Sequence, residues 1–180
     1  MCIRDRFYPS ASATEIDRYV IYNYQEQVWY YGQLNRTAWL DSNIENYPQA
    51  VGSNYLFQHE IGFDDDGSEM TNVFIESGDF DIGDGESFSF LRRVVPDVKF
   101  LDDDTASNVN IVTKTRNFPG DNLSSGQTST VSPATQQGHI RARGRQAVLR
   151  INSNDGDTGN LGVGWRLGAT RYDIRTDGRR

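Results

Sequence analysis

Cysteine is almost missing from this sequence, and several other reactive residue types are nearly so. Cys2 stands alone, which rules out an internal disulfide. Histidine is confined to His59 and His139, methionine to Met1 and Met70, and lysine to Lys99 and Lys114. No stretch approaches the roughly 20 apolar residues that span a bilayer, and the first residues form no apolar signal core, so neither membrane contact nor secretory routing is expected. Catalytic fingerprints are missing too. There is no G-x-S-x-G elbow, and Gly162, Gly164 and Gly168 lack phosphate-loop spacing and any helical pattern behind them. His59 lies in an apolar, strand-like run and reads as a satisfied strand histidine, while His139 opens an arginine-rich segment at the surface. No catalytic, cofactor-binding or metal-ligating residue is assigned, and the chain is not expected to be an enzyme.

What the sequence does hold is the material of strands and turns. It has 180 residues, enough for one good-sized domain or for one domain and a piece of another, and 12% of them are aromatic. Gly, Asn, Asp, Ser and Thr abound, the composition of short strands separated by tight turns. Apolar residues recur at alternate positions rather than at helical spacing. Arg18–Tyr24 runs into Gln25-Glu26-Gln27 and returns through Val28–Leu34, a hairpin rich in Tyr, Val and Trp. Further strands are expected at Thr37–Asp41, Tyr55–Ile61, Asn72–Glu76, Ser87–Phe100 (interrupted at Pro96), Asn108–Arg116, Arg145–Ile151 and Gly164–Arg175. Asp66-Gly67, Asp84-Gly85, Asp155-Gly156 and Asp177-Gly178 are turn signals, because Asp and Gly tolerate the left-handed backbone of hairpin turns. The stretch 117–138 is rich in Ser, Thr, Gln, Gly and Pro and reads as a long polar loop or a two-sided exposed hairpin.

Two segments need separate treatment. Met1-Cys2-Ile3-Arg4-Asp5-Arg6 resembles an adapter read-through peptide, so residues 1–6 are expected to lie outside the native chain, which would then continue upstream. The acidic clusters Asp64–Glu69, Asp79–Glu86, Asp102–Asp104 and Asn152–Asn160 offer hard oxygen ligands of the kind calcium takes. None has EF-hand spacing, and solvated turns are the preferred reading. Paired carboxylates of a glycosidase remain the enzyme alternative, since acid residues alone do not fix a separation.

Charge is unevenly spread. The net value is −7, but from His139 onward nine arginines face four aspartates, a local +5, so residues 1–138 carry −12. Arginine in place of lysine suits fixed bidentate pairing rather than mere solvation. Arg141, Arg143 and Arg145 alternate, so one strand would place all three on one face, available to phosphates or to a carboxylate row such as Asp102–Asp104 of a neighbour. The acidity of the whole favours the carboxylate reading. Trp29, Trp39 and Trp165 are expected to act as structural aromatic anchors.

Several stretches, taken in order, resemble one family. They are Val20–Gly32, Arg36-Thr37-Ala38-Trp39-Leu40-Asp41, Glu76–Glu86, Arg92–Asp97, Arg141–Gln146, Trp165-Arg166-Leu167-Gly168 and Arg171–Arg180, with its Asp-Gly-Arg-Arg ending. This series is similar to the C-terminal region of the tail nozzle proteins of short-tailed bacteriophages, also called B-type tail tubular or packaged-DNA stabilisation proteins. The resemblance implies a structural virion protein in a hexameric ring of propeller-containing subunits at the distal end of the tail. It further implies contact with other tail proteins and transient contact with packaged DNA, and it carries over no catalytic residue. A channel through which DNA must slide should not grip it tightly with arginine, which again favours a subunit interface for Arg141, Arg143 and Arg145. The expected fold is all-β, with a partial β-propeller blade over 7–50 and a C-terminal antiparallel β-region over 51–180. A receptor-facing or carbohydrate-binding tail module and a polysaccharide depolymerase are the alternatives.

Overall fold

The computed structural model describes residues 3–42, 44–82, 85–101, 107–153 and 163–179. Among them there is no helix, and every pairing between strands is antiparallel. The all-β expectation therefore stands. The chain divides into two compact units, Met1–Gly62 and Phe63–Arg180.

The first unit holds two three-stranded sheets. One is β1 (Ile3–Tyr8), β2 (Arg18–Asn23) and β3 (Val28–Gln33), in that order. The other is β4 (Ala38–Leu40), β5 (Gln49–Gly52) and β6 (Tyr55–Gln58). The β2–β3 hairpin forms as the sequence predicts, from Arg18↔Gln33 to Asn23↔Val28. Asn23 organises its tip: its Oδ1 accepts from the backbone N–H groups of Gln25 and Glu26, both at 3.1 Å. Local side-chain capping of this kind gives a turn a defined shape without glycine.

Three features of the fold bear on what the sequence led us to expect. Residues 3–6, set aside on the sequence, lie within β1, which pairs with β2 from Ile3↔Asn23 to Tyr8↔Arg18. A boundary after residue 50 would cut β5, which instead pairs onward with β6 through a two-residue turn. That turn, Ser53-Asn54, has φ values of 50° and 67°, the left-handed geometry usually signalled by Asn-Gly or Asp-Gly. Finally, each sheet in the first unit has three strands, and no sheet among the described residues closes into a barrel or shows a propeller arrangement.

The second unit is built around two facing sheets. One has the order β12 (Gln127–Val131), β11 (Val109–Arg116), β14 (Gln146–Ser153) and β7 (Phe74–Glu76), with β8 (Phe80–Asp81) also paired to β14. The other has the order β13 (Gly138–Gly144), β9 (Ser89–Val95), β16 (Arg171–Thr176). Strict alternation makes this possible. Val109, Ile111, Thr113 and Thr115 of β11 point inward, as do Gly138, Ile140, Ala142 and Gly144 of β13. Leu91, Val94, Val109, Ile111, Val131, Ile140, Ala147 and Ile151 meet in one cluster between the sheets. Gly138 and Gly144 let the sheets approach closely: a Cβ on Gly144 would stand 2.7 Å from Thr115 Cβ and 3.0 Å from the Arg116 carbonyl. Thr115 Oγ1 uses the proximity to donate to the Arg143 carbonyl at 3.0 Å.

The polar stretch 117–138 is thus no uninterrupted loop. It contains β12, paired with β11 from Val109↔Val131 to Thr113↔Gln127, and its Ser129 and Val131 are buried. Of the two readings made on the sequence, the hairpin is the nearer, but one of its sides is buried. A two-stranded extension, β10 (Val98–Phe100) with β15 (Trp165–Leu167), adds Val98, Phe100, Trp165 and Leu167 to the flank of the core. Pro96 separates β9 from β10, as its missing N–H predicts.

Candidate functional site

Burying one side of β13 fixes what its other side must show. With Gly138, Ile140, Ala142 and Gly144 inward, His139, Arg141 and Arg143 emerge on the solvent face. Register then brings neighbours to them. His139 pairs with Arg93, and Arg93 with Asp173; Arg143 pairs with Phe90, and Phe90 with Arg175. Both cross-strand rows lie outward, because Val94 and Leu91 of the same strand are fully buried. A register shift on both sides of β9 falls at Arg92, leaving that residue exposed beside Arg93.

The β10–β15 pair, a sheet of its own joined to β9 through Pro96-Asp97, also turns cations outward. Val98↔Leu167 and Phe100↔Trp165 turn toward the core, so the pair between them, Lys99↔Arg166, turns to solvent. Arg171, at the start of β16, is exposed as well. Eight exposed cations therefore stand on the solvent sides of these two consecutive sheets (Arg92, Arg93, Lys99, Arg141, Arg143, Arg166, Arg171 and Arg175), with Asp97, Asp173 and Asp177 the acids described beside them. Sequence reasoning found Arg141 and Arg143 by their alternation. It missed the other six because cross-strand register is not visible along a single chain.

Arg145 does not belong to this face, which corrects the expectation that it would line up with Arg141 and Arg143. β13 ends at Gly144, and Arg145 sits half-buried where the chain bends into β14. Its guanidinium lies over the Phe88 ring at 4.7 Å and the Phe118 ring at 5.0 Å, and Nη2 donates to the Arg179 carbonyl at 3.1 Å. Arg143 is also engaged within the chain: it donates to the Asp177 carboxylate and backbone carbonyl and lies over Phe88 at 4.1 Å. Arg141 makes no hydrogen bond or ion pair with a described residue. The carboxylate row Asp102–Asp104, suggested as a counterpart, lies outside the described residues.

The acidic loops behave as turns and ion-pair partners. Asp65 and Ser68 exchange backbone hydrogen bonds of 2.8 and 3.0 Å across Asp66-Gly67, whose φ values are 52° and 77°. Asp64 Oδ1 accepts from the Gly67 N–H at 3.1 Å. Glu76 holds Lys114 at 3.2 Å and Arg150 at 3.4 Å, and Asp79 pairs with Arg116. Among the described residues no three His, Cys, Asp or Glu side chains are grouped to hold a metal ion. Asp84 and the segment 154–162 fall outside the described residues, and with them the Asp155-Gly156 turn and most of the Asn152–Asn160 cluster. Near the start of the chain, Asp17 is held below the usual carboxylate range by hydrogen bonds from Ser10, whose hydroxyl donates at 2.7 Å and backbone N–H at 2.6 Å.

The three tryptophans part company. Trp165 packs against the core and donates from Nε1 to Ser153 Oγ at 3.1 Å, as an anchor should. Trp29 is 63% exposed and, among the described residues, stacks along its own sheet on Tyr22 at 4.4 Å. Trp39 is intermediate in character, 42% exposed but flanked by Phe7 at 5.7 Å and His59 at 4.6 Å. His59 is engaged, its Nε2 accepting from Arg36 Nε at 3.2 Å. No protein-family model matches the chain, and no curated protein matches it.

Proposed function

We propose that this chain is part of a structural subunit of a short-tailed phage tail, of the nozzle type, which works by assembling into a ring and helps retain packaged DNA. One observation carries the reading: the first unit leaves its aromatic sheet uncovered. Among the described residues of Met1–Gly62, Ala50 is the one fully buried apolar side chain, while Trp29 and Tyr31 are 63% and 69% exposed. Contiguous apolar surface of this kind belongs to elements completed by neighbours, as in stacked or radial arrays. In this reading β1–β3 is part of a propeller blade, and its bare faces are covered by further strands in the assembled tail. The ordered resemblance to nozzle proteins and the lack of any assigned catalytic group point the same way.

The test is assembly. The chain in its full reading frame should sediment as a defined ring and show that ring in the electron microscope. A stable, strictly monomeric full-length protein would overturn the proposal. A second reading, a carbohydrate-binding tail module, is favoured by the exposed Trp29 ring stacked on Tyr22, since flat aromatic faces pack against sugar rings. Specific signals on a glycan array, lost in a Trp29→Ala variant, would establish it instead.

A further inference from the structure

We infer that the cationic outer face of the β13–β9–β16 sheet and its β10–β15 extension is a docking surface for the acidic surface of a second copy of this chain. This rests on the assembly reading above and adds to it the place, chemistry and symmetry of the contact. Like charges are set directly against each other here, because Lys99 stands opposite Arg166. Directly opposed like charges disfavour a sheet, so the arrangement is resolved when an anionic surface lies over it.

Three features favour carboxylates over phosphates. Asp97, Asp173 and Asp177 stand among the cations, so the face carries both signs, a pattern that a protein surface of mixed charge can match and a uniformly anionic nucleic-acid backbone cannot. But for Lys99 the cations are all arginine, whose planar guanidinium suits forked pairing with carboxylates. And the chain supplies its own complement: its net charge is −7 although this face is strongly positive, so the rest of the molecule is more acidic than the total suggests. A second copy is therefore attracted by its acidic surface and repelled by its own cationic one.

The symmetry of the contact follows. A face of strongly positive net charge is not self-complementary, so two copies are repelled from meeting through it face to face about a two-fold axis. The contact is heterologous, cationic face to acidic surface, and its repetition gives a closed ring or an open filament.

The experiment uses the whole chain and a variant carrying Lys99→Gln, Arg141→Gln and Arg171→Gln, none of which touches the core. Circular dichroism should show both folded alike. In sedimentation velocity the parent should associate at about 50 mM salt and dissociate at about 500 mM, where charge is screened. The variant should associate at least about tenfold more weakly. Mixed with parent, it should bind and shorten parent assemblies, because its acidic surface is intact and its cationic face is not. Undiminished association of the variant overturns the arginine face while leaving assembly standing. A parent that stays monomeric at every salt concentration overturns assembly as well. Binding of a labelled duplex of about 20 base pairs at about 150 mM salt, lost in the variant without any self-association of the parent, would assign the face to nucleic acid instead.

Discussion

Lys99 stands directly across the β10–β15 pair from Arg166, both on the solvent side. The pairing is a consequence of packing. Val98↔Leu167 and Phe100↔Trp165 bring apolar side chains to the core, and a period of two leaves the residues between them facing outward together. Burial thus fixes a register that electrostatics alone would avoid. One of the two lysines in the chain sits where an isolated molecule gains nothing from it.

Relieving that opposition should stabilise the free chain. Lys99→Glu turns a like-charged cross-strand pair into an opposite one, and an increase of about 0.5–1 kcal/mol is expected in urea unfolding at low salt. The gain should shrink as salt is raised. No gain at any ionic strength would mean that the two side chains already splay apart.

Trp29 and Trp165 should respond very differently to truncation. Trp165→Ala removes a ring packed on the core and leaves Ser153 without its donor, so a loss of about 3–5 kcal/mol is expected. Trp29→Ala removes a ring that is mostly in water, and the loss of stability should be under about 1 kcal/mol, with the main effect on assembly. Thermal unfolding and sedimentation, run on the same two variants, separate these outcomes.

The contrast shows where the sequence was legible. Trp29 and Trp165 both lie in alternating apolar runs, and alternation says only that a residue shares a face, not that the face is covered. Strands with clean periodicity, such as β11 and the β2–β3 pair, were readable because each carries its own signal. β12 was not, because its Gln127-Thr128-Ser129-Thr130 run is polar and only its place beside β11 buries Ser129. The Ser53-Asn54 turn escaped because it adopts left-handed backbone without glycine. At the cationic face, Arg141 and Arg143 were visible in one strand, whereas Arg93, Arg166, Arg171 and Arg175 join them through long-range pairing. Arg145 was misplaced by a single residue, since alternation predicts nothing about where a strand ends.

Gly144 tests how closely the two sheets of the second unit must approach. Its φ is unremarkable, so the argument is one of space. A Cβ there would meet Thr115 Cβ at 2.7 Å and the Arg116 carbonyl at 3.0 Å, and backbone cannot swing aside as a side chain can. Gly144→Ala should therefore destabilise by about 1–3 kcal/mol through overpacking, measured by urea unfolding. It should also weaken the Thr115 bond to the Arg143 carbonyl, which depends on the same approach.

Tyr172 gives the second unit a pH dependence of its own. It stands in β16 opposite Val94, packs against the core, and its hydroxyl has no hydrogen-bond partner among the described residues. Burial pushes its pKa up from 10.0 to about 12, since the phenolate would lose its water. Between those values the unfolded chain gives up this proton and the folded chain keeps it. The stability Tyr172 contributes is therefore whole below pH 10 and is lost as the pH rises toward about 12. A Tyr172→Phe variant has no proton to lose there, and it also removes a buried hydroxyl that no described residue partners. At neutral pH the variant should be at least as stable as the parent. From pH 10 upward the parent should lose stability relative to the variant, a difference that isolates this residue from the other tyrosines. Urea unfolding of both proteins at pH 7, 9, 10 and 11 measures it. Parallel curves across that range would mean that the Tyr172 hydroxyl reaches water in the folded chain.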